Sequence, residues 1–317
     1  MSFDNLMQHA YEIQQQATLK ALTESGARPA APAGEPQLAP RHGEQETRQR
    51  VEQMFGDIPE LFQAFAEMPD PAAFSSRISV VDQALKQLSS GWISEDPVTR
   101  ASYRANHDLD EMLDAESHIE SWTGRAAMEF KSNFISPFPS IVYNQFMGIA
   151  VLRAALDAER EIWVRARDDI DKIAHDTITA LDRMDDCGKN EWVMTFTVVS
   201  SVAAVAGVAL APVSFGLSLG LTAVGASSQV AAAGVPDDPP AVRFQGETAP
   251  AVVDSMRDAI RLLHGYIAEQ EQKIADALTN CCQAVAQQRD SFVAKRPALA
   301  DATQSDVTGP LFMGYST

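Results

Sequence analysis

The chain has 317 residues, 45% of them apolar and 7% aromatic, and carries 43 acidic residues against 25 basic ones. That length is enough to bury a core in one or two domains, and the apolar content excludes wholesale disorder. A net charge of −18 and a pI near 4.6 argue against nucleic acid, whose phosphate backbone demands a basic stripe, and disfavour docking on anionic lipid.

The chain starts without a basic stretch leading into an apolar run, so no Sec signal peptide is expected. Phe3, Leu6, Met7, Ala10, Ile13 and Ala17 fall at helical spacing and predict an N-terminal amphipathic helix within 1–25. Residues 26–43, with Pro29, Pro32, Pro36 and Pro40, read as an extended linker, so the first helix is expected to be mobile or separately docked. Residues 44–191 read as a helical region. Its first helix covers 44–67, interrupted near Gly56 and Pro59, and Met68-Pro69-Asp70-Pro71 is a break. The next runs from about 72 to 90, with Ile78, Val81, Leu85 and Leu88 on one face and Gly91 just past its end. Asp96-Pro97 is expected to open a further helix that continues through Leu109, Met112, Leu113 and Ile119 to Trp122.

A second arm begins at 125, is broken at Ser136-Pro137-Phe138-Pro139, and resumes near 140 to end at about 186. In it Ile149, Leu156, Trp163 and Ile170 recur every seven residues beside Leu152, Ala166 and Ile173, the pattern of a packed coiled-coil seam. The segment 237–296 holds a long C-terminal helix over about 249–295. There Val253, Ile260, Ile267, Ile274 and Cys281 recur every seven residues beside Met256, Leu263 and Ala277. Residues 297–317 read as a flexible tail. No strand series is evident.

The junction between the two arms is Trp122-Thr123-Gly124, followed by Arg125, Ala126, Ala127, Met128, Glu129 and Phe130. Glycine relieves the steric cost of a tight connection, small residues let helices approach, and Trp is large enough to cover the end of a helix pair. The pattern Trp122-x-Gly124-x-Ala126-Ala127-x-x-Phe130, with Phe134 one turn later, resembles the WXG family of helical-hairpin proteins exported by the type VII (ESX) secretion system. The resemblance covers roughly residues 80–187. It implies an antiparallel helical hairpin, no enzymatic activity, and a secreted or cell-surface location reached by a non-Sec route. Larger ESX substrates usually carry Tyr-x-x-x-Asp/Glu after the second helix. Here Tyr143 is followed four residues on by Met147, and Tyr266 by Gln270. The resemblance therefore implies travel with a partner that supplies the signal.

The run from Trp192 to Pro236 contains no charged residue and divides at Ala211-Pro212 into halves of about the length that crosses a bilayer as a helix. Trp192, Val193, Leu210, Pro212, Phe215 and Leu221 mark this candidate hairpin. Its Ala, Gly and Ser content suits close helix contact. Three readings stay open: a hairpin buried in or capping a soluble bundle, one that inserts in a membrane conditionally, and a constitutive two-span anchor. The larger ESX-associated proteins of actinobacteria show a similar order of hairpin, Trp-x-Gly turn and small-residue apolar stretch.

Little else carries chemistry. His107, Glu111, Asp114 and His118 share one helical face, and Asp171 and His175 lie one turn apart. This is Asp-x-x-x-His rather than the Glu-x-x-His of di-iron helices, so a solvated charged face is expected and no metal or other cofactor. Gly216-Leu217-Ser218-Leu219-Gly220 matches a nucleophile-elbow pattern but lacks a preceding strand and a nearby acid or histidine, so no catalytic residue is assigned. Cys187, Cys281 and Cys282 make no disulfide framework. Cys281 is expected as a buried free thiol, with a bridge from Cys187 to Cys281 or Cys282 open if the chain matures outside the cell.

The expected fold is all-α: an elongated helical bundle built on a WXG-type antiparallel hairpin, with an apolar hairpin and a long C-terminal helix. The expected function is helix-mediated self-assembly or partner binding in type VII secretion, with no nucleic acid involved. The alternatives are a pore-forming effector that inserts 192–236 and a cytoplasmic structural or chaperone-like protein.

Overall fold

Leu6, Ala10, Ile13 and Ala17, the apolar positions of the first expected helix, are all buried along α1 (Leu6–Glu24). The computed structural model describes residues 3–27, 43–91, 93–96, 99–184, 191–196, 241–245 and 247–294. These residues form an all-α helical bundle with one short β-ribbon. They group into two compact units. One draws on Met1–Pro71, Arg160–Val199 and Pro236–Glu271, and the described residues of the other lie within Ala72–Glu159 and Gln272–Thr317.

In the first unit α1 packs on α2 (Glu44–Met54) and α3 (Ile58–Ala66). Phe55, Ile58 and Phe62 are fully buried, and the Gln14 side-chain amide donates to the Phe55 carbonyl at 3.2 Å. Of the two expectations for the first helix, mobile or docked, the packing corrects the first and agrees with the second, because an apolar stripe on the helix itself requires a cover. His9 is buried opposite Asp171, with Nδ1 and Oδ1 3.6 Å apart. The Glu24 carboxylate accepts the Ala249 N–H at 3.0 Å, where a negative charge suits the start of the last long helix. Arg257 of that helix closes the α2–α3 turn: its guanidinium donates to both Asp57 carboxylate oxygens, at 2.6 and 3.2 Å, and to the Met54 carbonyl at 2.7 Å.

The two long helices come where the sequence places them, with different fidelity. The last helix forms over Ala249–Gln287, short of the expected end near 295, and buries Val253, Met256, Ile260, Leu263, Ile267, Ile274 and Ala277, as the heptads require; Cys281 is only half-buried. The helix α8 (Phe138–Arg183) departs from its expected seam. Ala166, Ile170 and Ile173 are buried, but Ile149, Leu156 and Trp163 are half-buried and Leu152 is 38% exposed. The buried face instead runs through Phe146, Ala150, Ala154, Ala158 and Ile162. Alanines let a neighbouring backbone approach closely, so the contact face follows the small residues rather than the large ones.

Between them, β1 (Glu191–Thr195) and β2 (Ala241–Gln245) pair antiparallel, with Trp192 opposite Phe244 and Val193 opposite Arg243. Trp192 and Val193 thus lie on a strand, which corrects the helix expected there. Aromatic and β-branched residues on both segments favour the extended state once a partner strand is present. Leu210, Pro212, Phe215 and Leu221 lie outside the described residues. The last long helix is α9 in chain order.

In the second unit α4 (Phe74–Leu88) buries Phe74, Ile78 and Leu85. The continuous helix expected from Asp96 to Trp122 does not form. Glu95 and Ser102 make a β-bridge around a turn in which Asp96 accepts from the Thr99 hydroxyl at 2.6 Å and the Thr99 N–H at 3.3 Å. Arg100 there takes a left-handed φ of 61°. In place of the expected helix start, the Asp96 side chain binds Thr99 and the Asp96 carbonyl accepts the Arg100 N–H at 2.8 Å. Among the described residues from Asp96 to Trp122, only α5 (His107–Leu113) and α6 (Ala115–His118) are helical. Leu85, Tyr103, Phe146 and Ala150 form the core, with Tyr103 edge-on to Phe146 at 6.1 Å. Beside it the Tyr103 hydroxyl and Arg153 Nε both donate to Asp82, at 3.0 and 2.9 Å, and Arg153 also pairs with Asp157. Burial, followed by the Asp82 hydrogen bond, pushes the Tyr103 phenol up to about 12. The 3₁₀ turn at Arg289–Ser291 is held to α8 by Asn144 donating to the Ser291 carbonyl, and the Phe292 carbonyl accepts from Gln145.

Candidate functional site

Gly124 is the N-cap of α7 (Arg125–Phe130) and has φ 99° and ψ 164°, a conformation essentially reserved for glycine. Its carbonyl accepts the Met128 N–H at 3.0 Å, starting the helix. The sequence motif therefore does encode a glycine-dependent turn into a helix that contains Ala126, Ala127 and Phe130. The helix is short, however, and passes into a π-helical turn at Lys131–Ile135, closed by the Ser136 N–H donating to the Lys131 carbonyl at 2.8 Å. Lys131 reaches back across the turn, its ammonium donating to the Glu120 and Trp122 carbonyls at 3.0 and 3.2 Å.

Trp122 does not cover the end of a helix pair. It is 54% exposed and lies tilted against Phe130, ring centroids 6.4 Å apart. Phe130 stacks on Phe134 at 5.3 Å, and Phe134 meets Phe138 at 5.9 Å. The result is a ladder of four aromatic rings, half-buried except for the exposed Trp122, with Met128 67% exposed on the same short helix. Residues four apart drift around an α-helix, and the wider π turn offsets that drift, which keeps the phenylalanines in line. Below, Ile119 and Ile135 are buried and anchor the segment. The Phe130, Phe134, Phe138 spacing was visible in the sequence. The π turn that aligns the rings was not, because the Ser136-Pro137-Phe138-Pro139 break reads simply as an interruption.

The remaining candidates scatter. His107 pairs with Glu111 at 3.2 Å on an exposed face, and Asp110 instead accepts the Gly91 N–H at 2.8 Å, tying α5 to the end of α4. Asp171 faces His9. Among the described residues no group of three or more His, Cys, Asp or Glu side chains is placed to hold a metal ion. No described helix is long and apolar enough to cross a membrane. Cys281 and Cys282 are free thiols, with burial pushing the Cys281 thiol up, and Cys187 lies outside the described residues. The aromatic ladder offers flat apolar faces and one indole N–H. No family model matches this chain, and neither a characterised protein nor a solved structure matches it.

Proposed function

We propose that the protein is a non-enzymatic, type VII (ESX) secretion-associated protein that acts by assembling with itself or with a helical partner through its Trp-x-Gly element. The observation that carries this reading is the ladder Trp122, Phe130, Phe134 and Phe138, set on a glycine-dependent turn with Trp122 and Met128 exposed. Exposed Trp and Met beside stacked rings are the residues from which interface hot spots are built. The test pairs two measurements on the wild type and on Trp122→Ala and Phe134→Ala variants. Light scattering after size exclusion reads assembly, and culture filtrates with and without a working ESX machine read export. Assembly and export that both fall in the variants support the reading. Full retention in the cytosol in the presence of the machine, with an unchanged particle size, sinks it.

A second reading, a membrane-perturbing effector, is favoured by the β-ribbon. Pairing of Glu191 with Gln245 brings together two segments that flank most of the uncharged run 192–236. Liposome flotation and dye release at neutral and acidic pH test it. Leakage that vanishes when 197–235 is replaced by a short polar loop supports insertion, and absence of lipid binding at both pH values rejects it.

A further inference from the structure

In the first unit a groove of about 250 Å³ opens between the end of α3, the break after it, α8 and α9. Trp163 of α8 and the Met68-Pro69 segment form its apolar walls, and Glu67, His264 and Glu271 line it as well. Arg167, one turn along α8 from Trp163, donates through Nη2 to the Pro69 carbonyl at 3.1 Å and the Met68 carbonyl at 3.4 Å. Its guanidinium also lies 4.6 Å over the Phe3 ring. The proline wall and the indole are therefore fixed to the same helix.

Size and charge together select the occupant. The volume is below the roughly 300–1,000 Å³ of pockets that hold drug-sized ligands, which favours a small occupant. Two lining residues are carboxylates, and among the described lining residues none is lysine or arginine. The Glu67 carboxylate accepts from the neutral Gln63 amide at 3.3 Å, so its charge is not cancelled there. An indole wall beside carboxylates is the setting in which an ammonium or guanidinium gains from the ring quadrupole and from charge-assisted hydrogen bonds together, while Met68 and Pro69 suit an alkyl stem.

We infer that this groove binds a small organic cation, an ammonium or guanidinium group on a short apolar stem. This does not depend on the aromatic ladder of the other unit or on any secretion role. n-Butylguanidine is the probe, titrated calorimetrically into the full-length protein, with n-butanol as the uncharged stem. The expected result is saturable n-butylguanidine binding with a Kd of about 1 mM or tighter and no binding of n-butanol. The Glu67→Gln, Glu271→Gln pair is expected to weaken n-butylguanidine binding by about tenfold or more. The Glu95→Gln, Glu111→Gln pair removes the same charge from exposed positions in the other unit and is expected to leave binding unchanged. Trp163→Leu, with its fold checked by circular dichroism, is expected to weaken binding as well. Absence of saturation up to about 20 mM n-butylguanidine overturns the inference. Equal losses in the two glutamine pairs overturn it too, since attraction to the bulk charge would then account for the binding.

Discussion

Two glycines separate backbone strain from packing. At Gly124 an added Cβ meets nothing within 4 Å, so a side chain there is opposed only by its φ of 99°. Gly265, inside α9, likewise has open space, but its helical backbone suits alanine. Gly124→Ala is expected to destabilise by about 1–3 kcal/mol and Gly265→Ala to stabilise by about 0.5–1 kcal/mol. Urea unfolding checks both, and effects of the same sign would contradict the assigned backbone at the turn. Tyr103 offers a second residue-level test. Its phenol is raised from 10.0 to about 12, so the folded state holds this proton more tightly than the unfolded state does. Stability from this group is full below pH 10 and is lost as pH rises toward 12. Between those values the melting temperature of the wild type is expected to fall more steeply than that of Tyr103→Phe. Parallel curves would mean that the phenol is not held by burial and Asp82. Of these residues only Gly124 was legible in advance, because a Trp-x-Gly turn names its own constraint. The buried position of Tyr103 follows from a turn at Asp96 that the sequence reads equally well as a helix start.

Elements were legible where burial selects large side chains. In α9 the Val, Ile and Leu repeat is the buried face, and sequence and structure agree through Ala277. In α8 the buried face is largely alanine, which hydrophobic periodicity underweights, so Leu152 and Trp163 were placed on the wrong part of the helix surface. The β-ribbon was illegible for another reason. Each strand has only five residues, and its hydrogen-bond partner lies beyond a long intervening segment, so no local signal marks the pairing. The register gives a direct check. Val193→Cys with Arg243→Cys, in a background where Cys187, Cys281 and Cys282 are serine, is expected to form an intramolecular disulfide under mild oxidation. Directly opposed positions lie about 4.5–5.5 Å apart, within reach of a disulfide. Val193→Cys with Gln245→Cys is displaced by two residues, about 7 Å along the strand, and is expected to cross-link far less. Equal cross-linking of the two pairs would show that the strands are not held in this register.

On the scale of the whole molecule the net charge of −18 is the dominant electrostatic fact. Many of the ion pairs are exposed and contribute little, among them Arg165 with Glu161 and Arg261 with Asp258. Self-repulsion should therefore outweigh them. Raising NaCl from about 20 to about 300 mM, which shortens the screening length severalfold, is expected to raise the melting temperature by a few degrees. A fall with added salt would show instead that ion pairs such as Arg257 with Asp57 carry more of the stability than repulsion removes. The all-α class was legible from the helical spacing and the low aromatic content. The grouping into two units, each drawing on segments far apart in the chain, was not, because local patterns do not report which distant segments meet.

The clasp of Arg257 on Asp57 has a consequence in time. The two residues are 200 positions apart, and Glu24 and the Ala249 N–H it caps are 225 apart. At a synthesis rate of about 5–20 residues per second, about 10–40 s pass between the emergence of Asp57 and that of Arg257. Helices form in microseconds, so α1, α2 and α3 have that whole interval in which to pair without the helix that closes them. Until α9 is made, a nascent chain presents the apolar residues of α1, α2 and α3 without the Arg257 clasp to whatever chaperone or partner is waiting at the ribosome.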